Sequence, residues 1–202
     1  MKNARMKIVL YDPYVLALDG MYDAMKMIHD IEVVGAYSDE SDLMAHLQSK
    51  KVDIVVLDLM LKSSQGLSFI KRIRDTQKSV KIVILTETTD SLVFKRALEI
   101  GVNAFLKKDT SYSDLISVIV SVGKGNDVIP DFVMEENKNM ILTETETKIL
   151  KLLVEENTNE EIAKEMYISR RTVESHISNI FRKLEVDSRI GAVRKAISLE
   201  LV

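Results

Sequence analysis

Four residues along the first half of the chain are of the types that can handle a phosphoryl group. Asp12 follows the apolar run KIVLY, Asp58 closes VDIVVLD, Thr86 closes KIVILT and Lys108 ends NAFLKK. A carboxylate can accept a phosphoryl group as a nucleophile, a lysine can pair with the added charge, and a hydroxyl can bond a phosphate oxygen. These residues are far apart in sequence, so the chemistry exists only if the fold brings the ends of those runs together.

The runs supply the means. KIVLY (7–11), IEVVGAY (31–37), VDIVVLD (52–58), KIVILT (81–86) and NAFLKK (103–108) are short, β-branched and continuously apolar, as strands covered on both faces are. Amphipathic segments at helical spacing lie between them: 15–28, 43–47, 67–73, 92–100 and 115–122. Five β-α units predict a parallel, doubly wound, flavodoxin-like α/β domain. In such open sheets ligands bind beyond the carboxyl ends of the strands, where Asp12, Asp58, Thr86 and Lys108 fall.

Other chemistries are excluded by what is missing. The chain lacks GxGxxG, GxxxxGK[ST] and a Ser-His-Asp order with an elbow motif, and its seven glycines are scattered. With no cysteine among 202 residues, disulfides, thiolate metal sites and cysteine nucleophiles are ruled out. The 28 Lys+Arg nearly balance 31 Asp+Glu, so a nucleic-acid contact has to be local rather than spread over the surface. A 46% hydrophobic content supports real cores, and no run reaches the roughly 18 residues of a membrane span. A soluble, cytoplasmic protein is expected.

After residue 122 the pattern lapses into GKGNDVIPDFVMEENKNM, read as a linker over 123–140 with room for a short helix after Pro130. Helical periodicity then runs to the end, giving an all-α four-helix domain over 141–202. Thr143 with Glu146 forms a capping box, and Asn159, Ser169 and Ser188 are placed to cap the helices that follow. The segment NEEIAKEMYISRRTVESHISNIFRKL has a short helix, a turn through Tyr167, Ile168 and Ser169, and a longer helix, the grammar of a helix-turn-helix. Apolar positions 173, 177, 180 and 184 leave Glu174, Ser175, Ser178 and Arg182 on the opposite face. From Lys164 to Lys195 eight basic residues face four acidic ones. On periodicity alone a small helical bundle without DNA remains an open alternative.

The run from Leu142 to Val193 resembles the DNA-binding domain of the LuxR/NarL/FixJ family. The matches include Leu142-Thr143, Glu146, Glu161-Ile162-Ala163, Ile168-Ser169, Thr172-Val173, His176, Ser178-Asn179-Ile180, Lys183-Leu184 and Arg189. The resemblance implies that the long helix enters the major groove of a double-stranded DNA operator, with Glu174, Ser175 and Ser178 where bases are read. Arg170, Arg171, Thr172, Arg182 and Lys183 are candidates for phosphate contacts. Many relatives carry lysine where this chain has Glu174. Either that carboxylate accepts from a cytosine or it is merely solvated.

Residues 5–122 resemble a response-regulator receiver. The resemblance implies Asp58 as phospho-acceptor, Thr86 as switch hydroxyl, Lys108 as phosphate-pairing lysine and Phe105 as the aromatic that turns inward. It also implies Mg²⁺ held by Asp12, Asp58 and the Met60 carbonyl. The family has two adjacent acids where this chain has Asp12-Pro13, and the second is the one expected to touch the metal; Lys62 and Gln65 depart from the pattern too. Mg²⁺ prefers near-octahedral oxygen ligation, so losing a ligand weakens the site. Two readings follow: a working switch with weakened Mg²⁺ affinity, or an atypical receiver in which Asp58 rests against Lys108. The domains are thus a receiver (1–122), a linker (123–140) and a helix-turn-helix domain (141–202), in a non-enzymatic transcription regulator. Its expected partners are a sensor histidine kinase and a second copy of itself, with no membrane; a protein-binding adaptor is the alternative.

Overall fold

The computed structural model describes residues 5–59, 64–87, 90–130, 142–199 and 201–202. The expected helix after Pro130, and the Met60 and Lys62 positions, lie outside the described residues, as does the side chain of Gln65. Strands β1 (Met6–Tyr11), β2 (Ile31–Tyr37), β3 (Ile54–Asp58), β4 (Lys81–Thr86) and β5 (Ala104–Lys107) form one parallel sheet in the order β2-β1-β3-β4-β5. The order reverses after β1, which places a crevice between β1 and β3 at their carboxyl ends.

Alternation along each strand feeds two cores. Ile8, Leu10, Ile54, Val56 and Val83 pack against α1 (Val15–Met25) and α5 (Tyr112–Gly123). Val9, Tyr11, Val55, Leu57, Ile82 and Ile84 face α2 (Glu40–Ser49), α3 (Ser64–Thr76) and α4 (Ser91–Ile100). Since both faces are covered, the strands read as continuous apolar runs in the sequence.

Helices α6 (Glu144–Val154), α7 (Asn159–Glu165), α8 (Arg170–Leu184) and α9 (Arg189–Ser198) make up the second domain among the described residues. Thr143 and Glu146 form the expected capping box, and Ser169 and Ser188 cap α8 and α9. Asn159 departs from expectation: Thr158 is the cap of α7, paired with Glu161 in a second capping box. The hydroxyl one residue earlier is the group that reaches the third backbone N–H of the helix. Asn159 instead accepts from Arg189 Nη1 at 3.2 Å, tying α7 to α9.

Candidate functional sites: an acid crevice and an exposed helix

The carboxyl ends of β1, β3, β4 and β5 bring the separated residues together. Asp12, Asp58, Thr86 and Phe105 are all buried there, the first at 2% exposure and the second at 7%. Lys108 Nζ lies 2.7 Å from Asp58 Oδ1. At that distance the ammonium and the carboxylate form a charge-assisted contact, so the buried Asp58 Oδ1 is already paired with a cation. Burial pushes the Asp58 carboxyl above its ordinary value; the Lys108 ammonium opposes this and the Asp12 carboxylate reinforces it. Burial acts to lower the Lys108 ammonium, but the Asp58 carboxylate outweighs it and holds Lys108 above its usual range.

Tyr11 reports the same local field. Its phenol is raised first by burial, then by Glu40, Asp39, Asp12 and Asp58. Asp12 has one oxygen committed, Oδ1 accepting from the Tyr14 backbone N–H at 2.7 Å across Pro13. Two buried carboxylates at neighbouring strand ends are the oxygen donors of a hard cation that takes one or two carboxylates plus waters and phosphate oxygens. Mg²⁺ therefore fits Asp12 and Asp58, although no set of three or more His, Cys, Asp or Glu residues clusters as metal ligands among the described residues. Periodicity gave no hint of one partner: Phe94, on α4, meets the Phe105 ring edge-on with centroids 4.7 Å apart. A cleft of about 630 Å³ lined by Arg5, Lys51, Lys81 and Lys124 lies at the opposite pole and contains none of these groups.

The second site is the outer face of α8. Val173, Ile177, Ile180 and Leu184 are buried, while Arg170, Arg171, Thr172, Glu174, Ser175, Ser178 and Arg182 are exposed. The turn before it has Tyr167 at φ 55°, in the left-handed region, with its side chain 95% exposed. Arg171 and Arg182 have no ion pair among the described residues, whereas Arg170 bridges Glu160 and Glu174. Lys183 departs from its expected role as a phosphate contact. Its Nζ lies 2.6 Å from Glu146 Oε2 and its side chain is only 12% exposed, so it braces α8 against α6.

Residues 8–120 match the response regulator receiver domain family, and residues 140–196 match the bacterial regulatory proteins of the luxR family. Response regulator protein VraR of Staphylococcus epidermidis (strain ATCC 35984) is 30% identical over 205 residues, covering 97% of this chain and 98% of the relative. VraR of Staphylococcus aureus (strain Mu3) is 29% identical with the same coverage. Among solved structures, the two-component response regulator RcsB in complex with DNA shares the fold at a TM-score of 0.71 and 23% identity, over 96% of this chain and 98% of that one. RcsB from Salmonella enterica serovar Typhimurium, bound to promoter rprA with a phosphomimetic, gives 0.72 and 23% over 95% and 98%. With a receiver family matched over more than half the chain, a luxR family over the remaining domain, and relatives aligned almost end to end, the chain belongs to the NarL/FixJ-type response regulators.

Proposed function

We propose that the chain is a transcription regulator in which a receiver (1–122) controls, through a linker (123–140), a DNA-binding domain (141–202). The receiver takes a phosphoryl group on Asp58, with Lys108 pairing its charge and Thr86 bonding a phosphate oxygen. Asp12, Asp58 and the Met60 carbonyl would hold Mg²⁺, which neutralises charge developing during transfer. A sensor histidine kinase is the donor. The DNA-binding half acts on a double-stranded operator as a homodimer, since one helix reads only a few base pairs and half-sites a turn apart match a two-fold pair.

The observation that carries this reading is the division of α8 into a fully buried stripe and an exposed polar face bearing Arg171 and Arg182. Ile190 and Ile197, 71% and 57% exposed on α9, offer the apolar surface a second copy would cover. No described helix is long and apolar enough to cross a membrane. The test is binding of the full-length protein to operator duplex over a salt series. Roughly three to five phosphate contacts per copy give a log–log slope near −0.9 for each contact. A protein adaptor without DNA function would show no such slope.

A second reading is favoured by Pro13 and by the committed Asp12 oxygen: a receiver that regulates without phosphorylation, Asp58 staying paired to Lys108. Intact mass after incubation with acetyl phosphate separates the two. A phosphate-sized, Mg²⁺-dependent gain absent from Asp58→Ala supports the first reading; no gain at millimolar Mg²⁺, with operator binding intact, supports the second.

A further inference from the structure

We infer that Glu174 reads a cytosine in each operator half-site and that Arg170 is the positioning residue for its carboxylate. This deepens the DNA-binding reading above and rests on it. A carboxylate on a face that meets phosphates weakens binding unless it gains a contact that only a base can give. The helix-turn-helix has two of them close together, Glu160 at the start of α7 and Glu174 on α8, with one guanidinium between. Arg170 Nε lies 3.0 Å from Glu174 Oε1, one turn along α8, and Arg170 Nη1 lies 2.9 Å from Glu160 Oε1. Held from two helices, the guanidinium restrains one oxygen of Glu174 and offsets part of its charge.

Glu174 Oε2 has no hydrogen-bond partner among the described residues, and the side chain is 48% exposed. The neighbouring Ser178 hydroxyl is turned back to its own helix, donating to the Glu174 carbonyl at 3.0 Å. The one unfilled charged acceptor on this stretch of α8 is therefore Glu174. In the major groove, guanine and thymine present acceptors that repel a carboxylate. Adenine offers its amino group beside the N7 acceptor, while cytosine offers the N4 amino donor without a purine N7 next to it. An exposed ion pair contributes little by itself to stability, so folding gives no strong reason for this arrangement.

The test is selection of duplexes from a randomised library by the full-length protein and by Glu174→Gln, Glu174→Lys and Arg170→Ala, all surface changes. The wild type should enrich cytosine at one position of each half-site, preferring it about tenfold or more over the other bases. At that position alone, Glu174→Gln should shift the preference to adenine and Glu174→Lys to guanine, following the pairing geometry of those side chains. Arg170→Ala should keep cytosine but flatten the preference, and Arg170→Lys, which retains a cation beside Glu174, should restore part of it. If both Glu174 variants select the wild-type sequence at every position and simply bind more tightly, the cytosine contact is overturned while DNA reading stands. If the wild type enriches no sequence at all, DNA reading fails and this contact with it.

Discussion

Pro13 is exposed, and the Asp12 side chain loops back across it to the Tyr14 amide. A carboxylate at this exposed position adds a second acid next to Asp12 and displaces no core residue. Pro13→Asp should therefore lower the Mg²⁺ concentration needed for half-maximal phosphoryl incorporation by about tenfold, the change made by one ligand contributing roughly 1.4 kcal/mol. The check is intact mass over a Mg²⁺ titration of both proteins. An unchanged midpoint would mean that Pro13 does not limit the metal site. The same crevice has a pH signature. Burial raises the Asp58 carboxyl, so its charged form is disfavoured in the folded state, and its contribution to stability falls as pH rises from the unfolded value through the folded one. Lys108 is raised as well; its contribution is complete below the ordinary lysine value and disappears as pH rises through the folded one.

Between α6 and α8 a buried acid does structural work that neither helix could do alone. Glu146, 3% exposed, accepts from the Thr143 backbone N–H at 2.7 Å and from Lys183 Nζ at 2.6 Å, so one carboxylate completes a capping box and anchors α8. Burial would raise it, but the Lys183 ammonium and the Thr143 donors outweigh burial and hold it below the ordinary glutamate value. Its stabilisation is thus present above the unfolded value and lost as pH falls through the folded one. Glu146→Gln should destabilise the protein by roughly 1–3 kcal/mol at pH 7. It should also remove the part of the acid-limb slope that belongs to this group, as read from denaturant midpoints between pH 3 and 7 with the range set by about the glutamate reference value. The sequence showed the capping box, because Thr143 and Glu146 are local, and showed the buried stripe of α8, because periodicity is local. Lys183 looked like a phosphate contact, because its spacing is consistent with either face and only the packing of α6 decides. Asn159 looked like a cap because asparagine caps well, while the structure uses the hydroxyl one residue earlier. The strand-end acids were legible because continuous apolar runs mark buried parallel strands; Phe94 against Phe105 was not, since nothing in either segment encodes their meeting.

Across the whole molecule, α4 connects the acid crevice to the second domain. Phe94 on its inner side packs on Phe105, and at the domain boundary Lys195 Nζ lies 2.7 Å from Asp90 Oδ2, the N-cap residue of α4, while Arg96 Nε donates to the Leu199 carbonyl at 2.8 Å. The two domains thereby share one apolar cluster, yet a solvent-open cleft of about 210 Å³ enters the boundary among Leu92, Glu99, Leu142, Leu184 and Leu201. Water reaches this part of the boundary, so side chains there make fewer dispersion contacts than those in the cores. Lys195 and Asp90 are both mostly buried, which puts their pair between an exposed ion pair and a fully buried one, about 2 kcal/mol. Lys195→Ala should split thermal unfolding, measured by calorimetry, from one transition toward two. Docking also leaves the outer face of α8 open, with Arg171, Ser175 and Arg182 exposed in the docked arrangement. Under the proposed function, control by the receiver would then act on where α8 stands relative to a second copy, since the outer face of α8 is already open. It follows that Lys195→Ala should change affinity for a single half-site duplex less than about twofold, a few tenths of a kcal/mol. The same substitution should alter binding to paired half-sites as a function of their spacing. A large gain on the single half-site would instead mean that docking hides the DNA-facing surface, and repositioning would be the wrong account of how the two domains communicate.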